Sequence, residues 1–153
     1  MFEVKNAAGV VVRSLATGNV LLVRNRRRGV WEYPGGLVHV GETPRWCAMR
    51  ELREETGLQL RIKWILGVDR GQRHLYLWPL NYQTYAAWVP DELACAITLS
   101  AEHSAFRWFT VEEARTHPLV WERVRERFVT YLNDDHWPTV GGWRTPSPAR
   151  GED

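Results

Sequence analysis

The stretch Gly35 to Leu58, GGLVHVGETPRWCAMRELREETGL, decides the fold. Its second half reads as a helix with both ends marked. Thr43 offers a hydroxyl to the free N–H groups of a first turn, Pro44 suits the first helical position, and Gly57 supplies the stop. Between them PRWCAMRELREET sets Ala48, Met49 and Leu52 on one side, which predicts an amphipathic helix of about three to four turns. Into its last turns fall Glu51, Glu54 and Glu55. At about 100° per residue, positions i, i+3 and i+4 share one face. Like charges so spaced cost roughly a few tenths of a kcal/mol per pair, and the negative end of the helix dipole adds a similar penalty.

Something must offset that crowding. Arg50 can pair with Glu54 at i+4, yet one arginine cannot neutralise three glutamates. Cys47, one turn earlier on the same face, is small enough to leave the carboxylates open to a ligand. A divalent cation meets the need: magnesium prefers oxygen donors and takes one or two carboxylates together with substrate phosphates and water. A solvated acidic helix end is the competing reading, and for an isolated E-x-x-E-E it is the commoner one.

Outward from the helix the chain reads as strands. AAGVVVRS and VLLVRN, joined by a turn at Thr17–Asn19, predict a β-hairpin. RNRRRG (24–29) is a basic turn, and GVWEYPGGLVHVGE has too much Gly and Pro for a helix, so loop and short strand are expected. From Leu60 to Pro90 two aromatic and branched runs, interrupted at Gly71, read as long strands of a mixed sheet. AFRWF (105–109) is a further strand. Thr110 and VEEA open a short helix, and a longer helix over about 119–132 closes the fold.

Composition sets the outer bounds. A chain of 153 residues with 44% hydrophobic and 25% charged residues suits one globular domain, expected over 1–133, with a mobile Gly- and Pro-rich tail over 134–153. A net charge of +2 argues against nucleic acid as a stable partner but suits phosphate-bearing small molecules. Cys47 and Cys95 lack metal-site spacing and read as reduced thiols of a cytoplasmic protein. Neither a secretory segment nor a membrane span of about 18 apolar residues is seen. The nine tryptophans and the tail leave a homodimer open.

The glutamates are also part of a longer pattern. Gly36, Glu42 and the run Arg50-Glu51-Leu52-Arg53-Glu54-Glu55-Thr56-Gly57-Leu58 fill every fixed position of G-x5-E-x7-R-E-U-x-E-E-x-G-U, where U is aliphatic. The chain therefore resembles the Nudix hydrolases. The resemblance implies an α/β fold, an α/β/α sandwich with a mixed central sheet, spanning nearly all of 7–132. It also implies cleavage of a phosphoanhydride in nucleoside diphosphate derivatives with Mg2+ or Mn2+. By position Glu51, Glu54 and Glu55 are the expected metal ligands, the Gly35 carbonyl assists, and Arg50 orients the glutamates. Glu42 and Gly41 are expected to shape the loop entering the helix.

SAEHSAFRWFTVEEA is similar to a segment of asymmetrical diadenosine tetraphosphate hydrolases and dihydroneopterin triphosphate pyrophosphatases, which makes Glu102 the expected general base or further ligand. His103 is expected either to stand behind the metal ligands or, the commoner case for a single loop histidine, to be exposed, and in neither case to have a catalytic role. Of the basic turn only Arg24 is expected to bind substrate phosphate, with Arg26, Arg27 and Arg28 as surface charge. Tyr76, 18 positions after Leu58, is similar to a tyrosine of dinucleoside polyphosphate hydrolases and can stack on a base, although a core role suits it equally. No proline stands between Leu58 and Pro79, which speaks against an ADP-ribose specialist, and neither a coenzyme A signature nor prenyl isomerase residues are found. Dinucleoside polyphosphates, nucleoside triphosphates and dihydroneopterin triphosphate remain as substrate classes. The alternative is a non-catalytic Nudix-fold sensor or protein-binding module, disfavoured because such domains often lose box glutamates.

Overall fold

The computed structural model describes residues 4–73, 79–90, 96–133 and 137. In chain order its elements are β1 (Lys5–Ser14), β2 (Val20–Asn25), β3 (Trp31–Glu32), β4 (Gly35–Leu37), α1 (Pro44–Thr56), β5 (Trp64–Arg73), β6 (Pro79–Val89), β7 (His103–Phe109), α2 (Val111–Thr116) and α3 (Glu122–Tyr131). β1 is buried from Ala7 to Ser14, which explains its unbroken apolar run: a strand covered on both faces has no polar side. It lies parallel to β6 from Lys5↔Leu80 to Ser14↔Val89, and β5 continues the sheet antiparallel to β6.

Alternate residues of the sheet feed two cores. Ala8, Val10, Val12, Tyr85 and Ala87 pack with Cys47, Ala48 and Leu52 of α1. Val11, Leu22, Ala86 and Phe109 pack on the other face with Ala114 of α2 and Val124, Phe128 and Tyr131 of α3. The result is the expected α/β/α sandwich with a mixed sheet. No helix among the described residues is long and apolar enough to cross a membrane.

Three sequence expectations are corrected by contacts from distant segments. The turn after β1 forms, with Ser14 N–H on Asn19 O at 2.9 Å, but β1 and β2 pair only at Arg13↔Val20. The remaining edge of β1 is taken by β4 at Ala7–Gly9 and by Pro34, whose carbonyl accepts Val10 N–H at 2.9 Å. β2 accordingly runs along β7 from Val20↔Phe109 to Asn25↔His103. Gly71 does not interrupt the sheet, because β5 continues to Arg73 and absorbs the glycine in a register shift between Asp69 and Gln72. The closing helix starts at Glu122 rather than at 119, since Trp31 N–H bonds Leu119 O and Trp121 N–H bonds Trp31 O, holding that backbone to β3.

A polar network ties α3 to the middle of the sheet. Arg127 is buried, donates from Nε to Asp69 Oδ2 at 3.2 Å and from Nη1 to Tyr33 Oη at 3.4 Å, and stacks 4.0 Å from the Tyr82 ring centre. Tyr33 Oη in turn hydrogen-bonds Thr84 Oγ1 at 2.8 Å. The Tyr82 hydroxyl packs against Gly9 and Gly35, leaving no room for a Cβ at either position. Of the segment read as a tail, Trp137 is buried, edge-on to Trp88 at 5.7 Å and beneath the Arg13 guanidinium at 4.9 Å.

Candidate active site

α1 is fixed at both ends by the residues that predict it. Thr43 is extended and its Oγ1 accepts Trp46 N–H at 3.2 Å, while Gly57 is left-handed at φ 78° and its N–H returns to Arg53 O at 2.8 Å. The loop before the helix folds on Glu42, whose Oε1 accepts His39 N–H at 3.0 Å. Arg50 then grips Glu42 with two bonds, Nε to Oε2 at 2.7 Å and Nη2 to Oε1 at 3.0 Å. It also reaches Glu54 Oε1 at 3.1 Å, Glu51 Oε2 at 3.4 Å and Leu37 O at 3.1 Å. The Arg50 hydrogen bond is the main reason the Glu42 carboxyl is held down at about 2. The arginine that the sequence pairs with Glu54 therefore serves the loop first.

Glu55 lies outside that arginine's reach. It is 3% exposed, accepts Gly35 N–H on Oε2 at 3.3 Å, and shares a hydrogen bond with Glu51. Burial, then the Glu51 and Glu32 charges, push its carboxyl well above the usual carboxylate range. Glu51 is raised too, chiefly by burial, with Glu54 and Glu102 adding to the effect. Its carboxylate rests on Gly36, where any Cβ would occupy the same space. Gly35, Glu51 and Glu55 thus converge, and Glu102 is exposed within electrostatic range. Glu54 is half exposed and turned to Arg50.

The basic turn is built differently from the sequence reading. Arg24 donates from Nε to Gly29 O at 3.1 Å, closing the turn on itself. Arg26 clamps the loop that carries Glu102: its backbone N–H bonds Glu102 O at 2.9 Å, Nε bonds Ala101 O at 3.0 Å and Nη2 bonds His103 O at 3.3 Å. Arg28 pairs with Glu32 at 3.1 Å and stacks on Trp121. Tyr76 lies outside the described residues.

His103 is 2% exposed, against the expectation of an exposed residue. Its Nε2 stands 3.1 Å from Glu32 Oε2 and 3.6 Å from Glu55 Oε1. Strict alternation from Phe109 through Ala105 would put it on the α2–α3 face. The β2–β7 register shift between Arg24 and Asn25 skips Ser104 and re-aims it towards α1. Glu32 is absent from the sequence reading, its only signal being its place in the WEYPGG turn, and Arg26, expected as surface charge, is instead bonded to the Glu102 loop.

The donor chemistry fits a hard divalent ion. Two desolvated carboxyl groups side by side, with the neighbouring arginine reaching Glu51 at 3.4 Å and Glu55 not at all, make a site that a cation relieves. Among the described residues no three His, Cys, Asp or Glu side chains form a ready cage.

The chain belongs to the NUDIX domain family, which residues 4–132 match. A CTP pyrophosphohydrolase of Escherichia coli K12 is 33% identical over 112 residues, 67% of this chain and 74% of that protein. A MutT-like protein of Streptomyces ambofaciens is 41% identical over 63 residues, covering 41% of this chain and only 40% of its own length. An Ap4A hydrolase of C. elegans, solved as a binary complex, superposes with a TM-score of 0.70 at 21% identity, covering 84% of this chain and 95% of that one. This last likeness concerns the fold.

Proposed function

We propose that this protein is a metal-dependent pyrophosphohydrolase that cleaves a phosphoanhydride in a nucleotide or pterin polyphosphate. Dinucleoside polyphosphates, nucleoside triphosphates and dihydroneopterin triphosphate are the substrate classes. The observation that carries the reading is the Glu51–Glu55 pair, desolvated against Gly35 and Gly36 while Arg50 is committed to Glu42 and Glu54. The E. coli relative, a CTP pyrophosphohydrolase by name, supports a nucleotide substrate.

A bound magnesium or manganese ion would supply electrophilic polarisation of the phosphate oxygens. Glu51, Glu54, Glu55 and the Gly35 carbonyl would hold it. Arg50 keeps Glu54 and the Glu42 loop in register, which makes it a positioning residue. Glu102, exposed and close enough for its charge to act on Glu51, would accept the proton of the attacking water or add a further ligand. Arg24 meets a substrate phosphate with its terminal N–H groups, and Tyr76 stacks on the base.

The test is a panel of the three substrate classes plus ADP-ribose, assayed with magnesium and with manganese. Turnover of a member of the three classes, lost in Glu54→Gln with an unchanged melting curve, is expected. Tight binding of one compound with release of phosphate or pyrophosphate from none would support a sensor module instead.

A further inference from the structure

We propose that His103, braced by Glu32, is a positioning residue for Glu55, fixing the direction in which that carboxylate is offered to a cation. The inference rests on the metal-site reading above. Glu55 is flanked on both sides: Oε2 takes the Gly35 N–H at 3.3 Å, and Oε1 lies in contact range of His103 Nε2 at 3.6 Å. The imidazole has little freedom. Its backbone is paired with Asn25 across the β2–β7 register shift, and its carbonyl is tied to Arg26.

Behind it, Glu32 is itself fixed. Its Oε2 accepts Asn25 Nδ2 at 3.2 Å and its Oε1 pairs with Arg28 Nη2 at 3.1 Å, while Arg28 lies 4.5 Å above the Trp121 ring. Because Nε2 hydrogen-bonds the Glu32 carboxylate at 3.1 Å, it is the nitrogen that carries hydrogen. The other nitrogen, Nδ1, is buried and finds no partner among the described residues. A buried polar atom left unmatched costs stability, so a histidine here is poorly explained by folding alone. Its geometry is explained by the Glu32–His103–Glu55 line, the same device by which groups behind a metal ligand hold that ligand's orientation.

The experiment titrates Mn2+ into the nucleotide-free protein and follows free ion by electron paramagnetic resonance, beside melting curves and separate kcat and KM values. His103→Ala should weaken Mn2+ binding by about tenfold or more and lower kcat while leaving KM within about twofold. His103→Asn, an amide too short to span both carboxylates, should do the same if the alanine variant folds poorly. His103→Gln, which restores a donor near the Nε2 position, should recover most of the affinity. Wild-type Mn2+ binding by folded His103→Ala or His103→Asn, alongside lost binding in Glu55→Gln, overturns this inference alone. Absence of Mn2+ uptake by the wild type, or full uptake by Glu55→Gln, overturns the metal-site reading and this inference with it.

Discussion

Gly35 and Gly36 are neighbours in sequence, yet an added methyl group should act on different properties at the two positions. In Gly35→Ala the new Cβ would meet Ala8 O at 2.7 Å and Gly9 Cα at 2.8 Å, both backbone atoms of β1, besides the Tyr82 hydroxyl. None of these can swing away. Overpacking of this kind costs about 1–3 kcal/mol, and backbone contacts belong at the upper end. At about 2–4 °C per kcal/mol for a chain of this size, the melting point should fall by roughly 6–12 °C. In Gly36→Ala the three atoms nearest the Cβ all belong to the Glu51 carboxylate, with its Cδ at 2.7 Å and Oε1 at 3.2 Å, and that side chain can rotate out.

Neither glycine needs a left-handed backbone, so alanine also removes about 0.4–1 kcal/mol of unfolded-state entropy. Gly36→Ala should therefore melt within about 3 °C of the wild type while binding Mn2+ at least about tenfold more weakly, because Glu51 has left its place. Differential scanning fluorimetry and Mn2+ titration on both variants measure the two effects. Equal melting losses in the two variants, with Mn2+ affinity intact in Gly36→Ala, would refute the placement of Glu51 against the glycine floor.

Two further outcomes follow from neighbouring contacts. The Glu42 carboxyl, normal at 4.5 when unfolded, is held at about 2 in the fold by Arg50, so its stabilising share is full above pH 4.5 and is lost as pH falls towards 2. Urea midpoints of the wild type and Glu42→Gln should thus converge over that window, and a gap as wide at pH 3 as at pH 7 would count against the pairing. Arg26→Ala should speed amide exchange at Glu102 and His103 and lower kcat, with a melting shift under about 3 °C; unchanged exchange would show that the clamp does not hold the loop.

What the sequence discloses divides by the range of the interaction involved. α1 is legible because both of its stops, Thr43 and Gly57, act on backbone groups within four residues. The capping box of α2, Thr110 with Glu113, is legible for the same reason. The short pairing of β1 with β2 is not, since β4 and Pro34 compete for that edge from another part of the chain. The start of α3 depends in the same way on Trp31. In the site, the carboxylates of the box are read directly from spacing. His103 is missed because one skipped residue in β7 reverses the face that alternation assigns, and Arg26 because a charge run gives no sign of which carbonyls lie opposite.

The Arg127 contacts also bear on when the protein is complete during synthesis. Tyr33, Asp69, Tyr82 and Thr84 all leave the ribosome before the helix that satisfies them. Until α3 emerges, the hydroxyl layer beneath Gly35 is without its cation. A nascent chain halted before that helix therefore has the entire acidic box in hand and an unfinished floor beneath it, so the support under Gly35 is completed only when α3 is translated.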